Sequence, residues 1–487
     1  VYPTADSRAC ARSSRVRARA CAEFVDNSNG VRFAKPRGSA FNAALRVARC
    51  VDMRDDARKR KRDAIAIDEN LERFRAWCED VGIVTNDDAL EIRSLKSDDE
   101  FADDRRHYAV FAKRAIEIGE TLFEIPKSCV LCGKNSRAHG EAVEGARLGG
   151  GLALNVVAVG ELFGDDETAR EAKGFWDGFR AILPRRGERS LPMFWDAELR
   201  DELRGTELAA HLSEDDEAFD EDFETCRDAL GEETANAMGL TLETFKAAAS
   251  IAASRAFYVG GEYGECLVPC ADLFNHRTGT NSVAVYGVED DDDSDDSDGG
   301  DSGDTLVIKA VAEAKAGEEL FNTFGEQSNA SLLHKYGFCE FHNEDNVTVN
   351  LHVSLFEDVY GREKMHAVYD AMKVSLQSAE EERKQSLLDF FEAGKYYEIT
   401  GANGVEDEFF ALVEKIKDAL VEVENKKVET NDVFEAIIDA RLARYGAEAE
   451  DTIDEGGRPP AGGGVVGRQA AKLVRLQEMR LLNRVRQ

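Results

Sequence analysis

The sequence lacks several features that would assign it to a common protein class. None of its apolar runs approaches the ~18 residues of a membrane-spanning helix, so no transmembrane segment is expected. No Gly-x-Gly-x-x-Gly pattern follows a predicted strand, which argues against a Rossmann dinucleotide site. No Gly-x-Ser-x-Gly elbow is present, so a Ser/His/Asp hydrolase is not indicated.

Cysteine is sparse and scattered. The 10 cysteines are spread over 487 residues without a dense framework, a usage typical of reduced thiols in an intracellular compartment. Cys129 and Cys132 form a lone Cys-x-x-Cys pair inside an apolar stretch. Because a zinc site needs two more ligands at sensible spacing, we expect buried thiols there and no bound metal.

Positive charge is scarce outside the first residues. The formal net charge is −34, yet residues 1–62 contain 16 Lys and Arg against 6 Asp and Glu. The strongly acidic remainder disfavours nucleic-acid binding and suits a basic protein partner.

Residues 1–67 are predicted to be a disordered basic segment, and three interpretations of it stay open. Its Arg, Ser and Ala content fits a transit peptide, which would direct the chain to a chloroplast. The basic run 58–62 fits a nuclear-import patch. Residues 1–52 could also be a non-physiological extension, with translation starting at Met53, the first methionine. We expect a nuclear or cytoplasmic location unless the transit peptide is real.

Hydrophobic periodicity predicts an alternation of small β units and helical blocks. Leu71, Phe74, Trp77 and Val81 are spaced for one helix face, closed by Gly82. Strands are predicted at 107–112, 121–126, 266–269, 282–286 and 305–310, with a helical block at 149–253 and a solvated acidic loop at 289–304.

The segment 317–338 joins both kinds of element. Residues 319–324 are predicted to be a strand, and Gly325 a turn. Ser328 is predicted to cap a helix that Gly337 ends. A strand-like stretch at 347–353 follows, and beyond it the pattern predicts helices to residue 487.

Two motifs at this spacing closely resemble the SET-domain methyltransferases. They are Pro269-x-x-Asp272-Leu273-Phe274-Asn275-His276 and the pair formed by residues 317–325 with Tyr336-Gly337-Phe338. Within that family the chain is similar to the Rubisco large-subunit methyltransferase class, nearest the branch that methylates lysines of ribosomal proteins and transcription factors. The resemblance covers roughly residues 68–487.

The resemblance implies an α+β protein. It implies a SET β-fold at 68–345 with a helical insertion at about 149–253, followed by an all-α substrate-binding-like domain at 346–487. It also implies a protein-lysine N-methyltransferase that uses S-adenosylmethionine and acts on a basic, non-histone protein. A monomer is expected, without nucleic acid or membrane partners.

The resemblance also implies the site residues. Two carry the catalytic prediction, Tyr336 and Phe324. The cofactor prediction falls on Tyr108, Arg255, Asp272, Asn275, His276 and Phe324.

Two departures from the family pattern concern the chemistry. Phe324 stands where the family usually has a tyrosine, so a hydroxyl is missing. His107-Tyr108-Ala109 stands where the cofactor strand usually has Gly-x-Gly, and the alanine side chain limits close backbone approach. Two alternatives therefore stay open: a catalytically impaired SET-fold interaction module, and methylation of a histidine side chain.

Overall fold

The computed structural model describes residues 68–96, 106–137, 140–164, 167–288, 303–375, 395–446 and 465–487, and residues 68–487 group into one unit. Three segments that carry predictions lie outside the described residues: the basic segment 1–67, residues 289–302 of the acidic loop, and residues 447–464 in the part predicted to be helical.

The described residues form helices and short strands in alternation. The helices are α1 (Glu69–Asp80), α2 (Gly140–Ala146), α3 (Gly150–Ala158), α4 (Glu167–Ile182), α5 (Ala197–Asp201), α6 (Glu207–Leu230), α7 (Glu232–Met238), α8 (Leu242–Arg255), α9 (Asn329–Tyr336), α10 (Ser354–Tyr360), α11 (Arg362–Ser375), α12 (Asp407–Glu424), α13 (Thr430–Ala443) and α14 (Gly467–Arg486). The strands are β1 (Val84–Thr85), β2 (Leu90–Lys96), β3 (Arg106–Ala112), β4 (Thr121–Pro126), β5 (Ala256–Tyr258), β6 (Glu265–Leu267), β7 (Val283–Tyr286), β8 (Thr305–Ala310), β9 (Phe338–Cys339), β10 (Thr348–His352), β11 (Tyr396–Thr400), β12 (Gly404–Val405) and β13 (Val465–Val466).

Helix α1 confirms the first predicted helix. The Asp68 side chain accepts bonds from the backbone of Asn70 and Leu71 at 3.1 and 3.2 Å, which satisfies two amides at the helix start. The buried face of α1 then packs against α4, where Gly178 leaves room for the Trp77 side chain.

The predicted strands before residue 317 assemble into small antiparallel sheets. Strands β1, β4, β8 and β7 lie side by side in that order, with Ile125 opposite Leu306. Strands β2 and β3 form a separate ladder from Leu90 opposite Ala112 to Lys96 opposite Arg106. Strand β2 was not predicted, although its first four side chains, residues 90–93, alternate between buried and half-buried as in a half-covered strand.

The helical insertion shares one core with these sheets. Side chains from α1, α4, α8 and β8 meet there, including Phe74, Trp176, Phe245 and Ile308, each essentially unexposed. The insertion therefore supports the sheets directly, and the structure has the expected α+β arrangement with an inserted helical block.

The prediction of a continuous strand at 319–324 is wrong. The segment makes isolated bridges instead, because its backbone bonds alternate between two neighbours. Leu320 N–H donates to Val110 O of β3 at 2.9 Å, whereas Asn322 N–H donates to Asn275 O at 3.0 Å. The segment is thereby held between β3 and the loop that follows β6.

The C-terminal part is mainly helical, with one correction to the all-α expectation. Strands β10, β11 and β12 form an antiparallel sheet in which Leu351 lies opposite Tyr397. This sheet packs with α10–α13 around a core of its own that includes Phe356, Phe409 and Ile437. Residues Tyr396–Thr400 are aromatic or β-branched except for Glu398. This composition favours a strand, although the sequence around it was predicted to be helical. Among the described residues, no helix is both long and apolar enough to cross a bilayer.

Candidate active site

The loop after β6 carries most of the predicted site residues. Cys270 adopts φ +69°, a conformation that a non-glycine residue rarely takes, and a short turn over Ala271–Leu273 follows it. This turn packs against β3. The tight path directs the Asp272 side chain into the interior and leaves His276 buried at the loop's end.

Arg255 lies half-buried between two carboxylates, Glu188 and Asp272, and pairs with both. The Arg255 guanidinium donates to Glu188 Oε1 from Nε at 2.8 Å and from Nη2 at 2.6 Å, and to Asp272 Oδ2 from Nη1 at 3.3 Å. The Asp272 carboxylate is 1% exposed, and its Oδ1 has no hydrogen-bond partner. Burial raises the pKa of Asp272 to about 6, against the opposing effect of Arg255. A bound donor at Oδ1 would relieve the cost of this unpaired oxygen.

Four aromatic rings gather beside this loop. The Phe324 ring stacks on His276, with centroids 4.9 Å apart and planes 14° apart. Its other neighbour is Tyr336, with centroids 4.4 Å and planes 26° apart. Phe338 lies 6.3 Å from both His276 and Tyr336, tilted by 49° in each case. We call these four rings the aromatic stack, and its three predicted members are brought together as the sequence indicated.

His276 fixes the backbone as well as the ring of Phe324. The Phe324 N–H donates to His276 Nδ1 at 3.0 Å, so the neutral imidazole carries its hydrogen on Nε2. Thr278 Oγ1 lies 3.3 Å from that Nε2. Burial lowers the pKa of His276, although the Glu340 carboxylate opposes this. A neutral ring therefore faces Phe324 near pH 7.

Tyr336 is positioned by the two ends of α9. The Ser328 side chain accepts from Ser331 N–H at 3.2 Å at the start of the helix, as predicted. Gly337 ends it at φ +81°, where an added Cβ would lie 2.8 Å from Ser190 Cβ. Burial raises the pKa of Tyr336, so its hydroxyl keeps its proton at physiological pH.

The two remaining predicted cofactor residues are Asn275, on the loop after β6, and Tyr108, on β3. The Asn275 side-chain amide donates to Glu319 Oε1 at 2.7 Å, so it fixes the neighbouring segment. Tyr108 and Ala109 lie on β3 and are buried, and Ala109 pairs with Arg93 of β2. On its other side, β3 bonds to the backbone of residues 317–320: Gly317 N–H donates to Ala112 O at 2.7 Å and Leu320 N–H to Val110 O at 2.9 Å. Ala109 therefore fits inside the ladder that β3 forms with β2.

Sequence reasoning missed Glu188, Phe338 and Glu319 as members of the site. Phe338 lies in the recognised motif, and its aromatic character was the available signal. Glu188 is 67 positions from Arg255, and no local pattern connects the two. Burial raises the pKa of Glu319, the acceptor for Asn275.

The site combines an apolar aromatic wall with a buried carboxylate. Aromatic faces attract a cation that has lost its water shell. A desolvated channel also disfavours the charged form of an amine and so exposes its lone pair. The arrangement can therefore align a cationic donor with a neutral amine acceptor.

Comparison with known proteins gives the class of the fold. Residues 107–325 match the family described as SET domain. The structure superposes on that titled "Crystal structure of the SET domain of LSMT bound to Lysine and AdoHcy" with a TM-score of 0.57, at 17% identity, covering 86% of this chain and 91% of that one. "Structure of Rubisco LSMT bound to AdoMet" gives 0.57 at 18% identity, covering 86% and 90%. Residues 107–325 are therefore similar to a SET domain, and the chain has the fold of the Rubisco LSMT structures, as the resemblance in the sequence implied.

Several proteins named N-lysine methyltransferase SETD6 are similar to this chain in sequence. The chain is 26% identical over 321 residues to N-lysine methyltransferase setd6 of Xenopus laevis, covering 60% of this chain and 63% of that protein. It is 25% identical over 371 residues to the Danio rerio protein of the same name, covering 70% of each. The human N-lysine methyltransferase SETD6 is 24% identical over 249 residues, 48% of each chain. This chain thus matches less than two thirds of the length of the Xenopus laevis relative.

Proposed function

We propose that the chain is an S-adenosylmethionine-dependent protein-lysine N-methyltransferase that acts on a non-histone protein. The observation that carries the proposal is the aromatic stack, in which Phe324 lies between His276 and Tyr336. His276 and Phe324 fall inside the segment that matches the SET domain, and Tyr336 follows its end by 11 residues. The relatives named N-lysine methyltransferase setd6 support the same reaction.

The residues present fit S-adenosylmethionine. The unpaired, buried Asp272 Oδ1 suits an ammonium donor, and the neutral His276 ring avoids the repulsion that an imidazolium would exert on a sulfonium. Arg255, Asp272 and His276 would hold the cofactor, together with the backbone of β3 around Tyr108. When bound, the cofactor supplies an electrophilic methyl group on sulfur.

The chain's own contribution is alignment and desolvation. Phe324 and Tyr336 wall the path of the target amine, and their apolar faces favour its neutral form. The protonated Tyr336 hydroxyl is the donor or acceptor available to orient that amine. Holding the two reactants in line removes much of the entropy cost of a displacement.

Substrate binding is proposed for the C-terminal unit. We infer that residues 68–345 form the SET domain and residues 346–487 a substrate-binding domain, since the latter have their own core. The net charge of −34 supports a basic protein substrate. We propose that the chain acts as a monomer in the nucleus or cytoplasm; location of a fluorescent fusion with and without residues 58–62 tests the compartment.

Transfer of a labelled methyl group tests the proposed reaction. The purified chain is incubated with labelled S-adenosylmethionine and hypomethylated cell extract, and labelled lysine is identified by mass spectrometry. Tyr336→Phe keeps the ring stack but removes the hydroxyl, so transfer should fall by about 10-fold or more. Tyr396→Phe, at a side chain that is 52% exposed, is the matched control. Absence of transfer together with absence of cofactor binding by calorimetry would contradict the proposal.

Phe324 supports a second candidate function. A SET fold with reduced turnover could act as an interaction module, since the ring stack is complete without a hydroxyl at this position. Cofactor binding by calorimetry without methyl transfer to any protein in the extract would favour the module over the enzyme.

A further inference from the structure

Helix α14 connects two separate cores. Near its start, Ala470 and Val474 pack in a cluster with Leu333 of α9. Near its end, Leu481 and Leu482 belong to the core of the C-terminal unit. One continuous helix thus packs at its end into the core of the C-terminal unit and near its start against α9, the helix that carries Tyr336.

The strand before α14 pairs beside the aromatic stack. In the β9–β13 pair, Val466 lies opposite Phe338 and Val465 lies opposite Cys339. Phe338 is a member of the aromatic stack and follows Tyr336 by two residues. The approach of α14 is therefore fixed at the edge of the proposed channel.

One buried amide joins α9, β9 and α14. Asn329 stands at the first position of α9 and is 2% exposed. Its Nδ2 donates to Gln477 Oε1 at 2.8 Å and to Glu340 O at 2.7 Å, while its Oδ1 accepts from Glu340 N–H at 2.8 Å. The Cys339 thiol donates to Asn329 O at 3.5 Å and to Ala470 O at 3.8 Å.

Gln477 contributes to this junction through its oxygen. The side chain is buried at 3% exposure, and its Nε2 has no hydrogen-bond partner. A buried amide with an unpaired nitrogen costs stability, so packing alone does not explain a glutamine here. The bond from Asn329 is the interaction that this residue supplies.

We propose that α14 is a positioning element for Tyr336, and that it acts through the Asn329–Gln477 hydrogen bond. The bond fixes the start of α9 and the strand after it, and Tyr336 lies between these two points. This inference rests on the proposed function, because the position of Tyr336 affects a rate only if methyl transfer occurs there.

Hydrogen–deuterium exchange tests the positioning without any substrate. Gln477→Met keeps the side-chain length and removes the acceptor; Gln469→Met makes the same change at an exposed position of α14. In Gln477→Met, amides of residues 332–340 should exchange about fivefold faster, as expected for one lost hydrogen bond. The amides of β10 should exchange at the wild-type rate. Equal rates in the two variants at 332–340, or a uniform rise along the chain, would overturn the proposal.

Methyl transfer provides the second measurement. Gln477→Met should lower kcat about fivefold and leave KM for both substrates unchanged, while Gln469→Met matches the wild type. Faster exchange at 332–340 in a chain with no methyl transfer supports the positioning and overturns the proposed function. If the wild type is active and Gln477→Met and Gln469→Met give the same exchange rates and the same kcat, the positioning role of α14 is overturned and the proposed function stands. If Gln477→Met does not fold, Gln477→Asn takes its place. Asparagine keeps the amide but is one methylene shorter, so the bond to Asn329 is lost and the expected results are the same.

Discussion

At Phe324, one ring occupies the centre of the proposed site without a polar atom. Its faces contact His276 and Tyr336, and its backbone amide is held by His276 Nδ1. Shape and position are therefore preserved, and the chemical difference from a tyrosine is a single hydroxyl.

Phe324→Tyr should accelerate methyl transfer. A preorganised hydrogen bond contributes on the order of 2–3 kcal/mol at a transition state, so a rise of about 30- to 150-fold is expected under single-turnover conditions. Phe410→Tyr, at a partly exposed position of α12, is the control for adding a hydroxyl elsewhere. An unchanged or lower rate in Phe324→Tyr would show that the missing hydroxyl does not limit the reaction.

His276 should make the fold sensitive to acid. Burial lowers its pKa below the ordinary 6.5, so the unfolded chain binds this proton more readily than the folded one. Stability from the neutral ring is therefore complete above pH 6.5 and is lost as the pH falls through the folded value. Between pH 7.5 and 5.5 the wild type should lose about 1 kcal/mol more than His276→Asn, which keeps an acceptor but does not titrate.

Thermal denaturation at the two pH values measures this difference. His211→Asn is the control, since His211 is 55% exposed. A wild type and a His276→Asn variant with parallel pH profiles would contradict a neutral, buried imidazole.

Among the helices, α1 and α4 make an unusually close contact. An added Cβ at Gly178 would overlap the Trp77 side chain and lie 2.9 Å from Arg73 O. Gly178→Ala should therefore reduce the free energy of unfolding by about 1–3 kcal/mol through overpacking. The same change at Gly174, where an added Cβ meets nothing within 4 Å, should raise it by about 1 kcal/mol. Chemical denaturation of both variants measures the contrast, and equal effects would contradict the packing account.

Local signals were sufficient for the helices and for most strands. The cap at Ser328 and the stop at Gly337 were predicted from a few neighbouring residues. The cap at Asp68 was not predicted, although an aspartate before a helical apolar pattern is the same kind of local signal. The path of residues 319–324 was not, because its hydrogen bonds go to two distant segments rather than to one adjacent strand. Strand β11 was missed among helical patterns, although its composition favours a strand.

The site was predictable to the extent that it lies in contiguous motifs. Asp272, His276, Phe324 and Tyr336 all fall within the motif segments, and the structure brings the last three together. The pairing of Glu188 with Arg255 depends on how the insertion packs, and no local rule fixes that.

Across the whole unit, a buried arginine joins the insertion to the C-terminal part. Arg441 of α13 donates to Glu207 Oε1 of α6 at 2.9 Å, to Gly205 O at 2.7 Å and to Asn350 O of β10 at 3.2 Å. Its side chain is 2% exposed, so these bonds are made away from water. Burial acts to raise the pKa of Glu207, but His352 and Arg441 outweigh it, so the pKa is lowered.

Arg441→Met should destabilise the chain by about 3–5 kcal/mol, because the largely buried Glu207 carboxylate would lose its arginine partner and keep only the weaker contacts of His352 and Asn350. Arg444 follows Arg441 by three residues and makes an exposed ion pair with Asp358. Arg444→Met removes this pair and should cost about 0–1 kcal/mol. Denaturant titration compares the two. A loss below 1 kcal/mol in Arg441→Met would show that the arginine does not couple the two parts.

The pairing of β13 with β9 also fixes an order of events during biosynthesis. The ribosome synthesises residues 329–340 well before it reaches Val465, because residues 341–464 are made in between. At roughly 5–20 residues per second this interval is on the order of 10 s. Throughout it, the face of α9 and β9 that α14 later covers is open on the nascent chain, and the aromatic stack acquires its last supporting strand only when synthesis has passed residue 466.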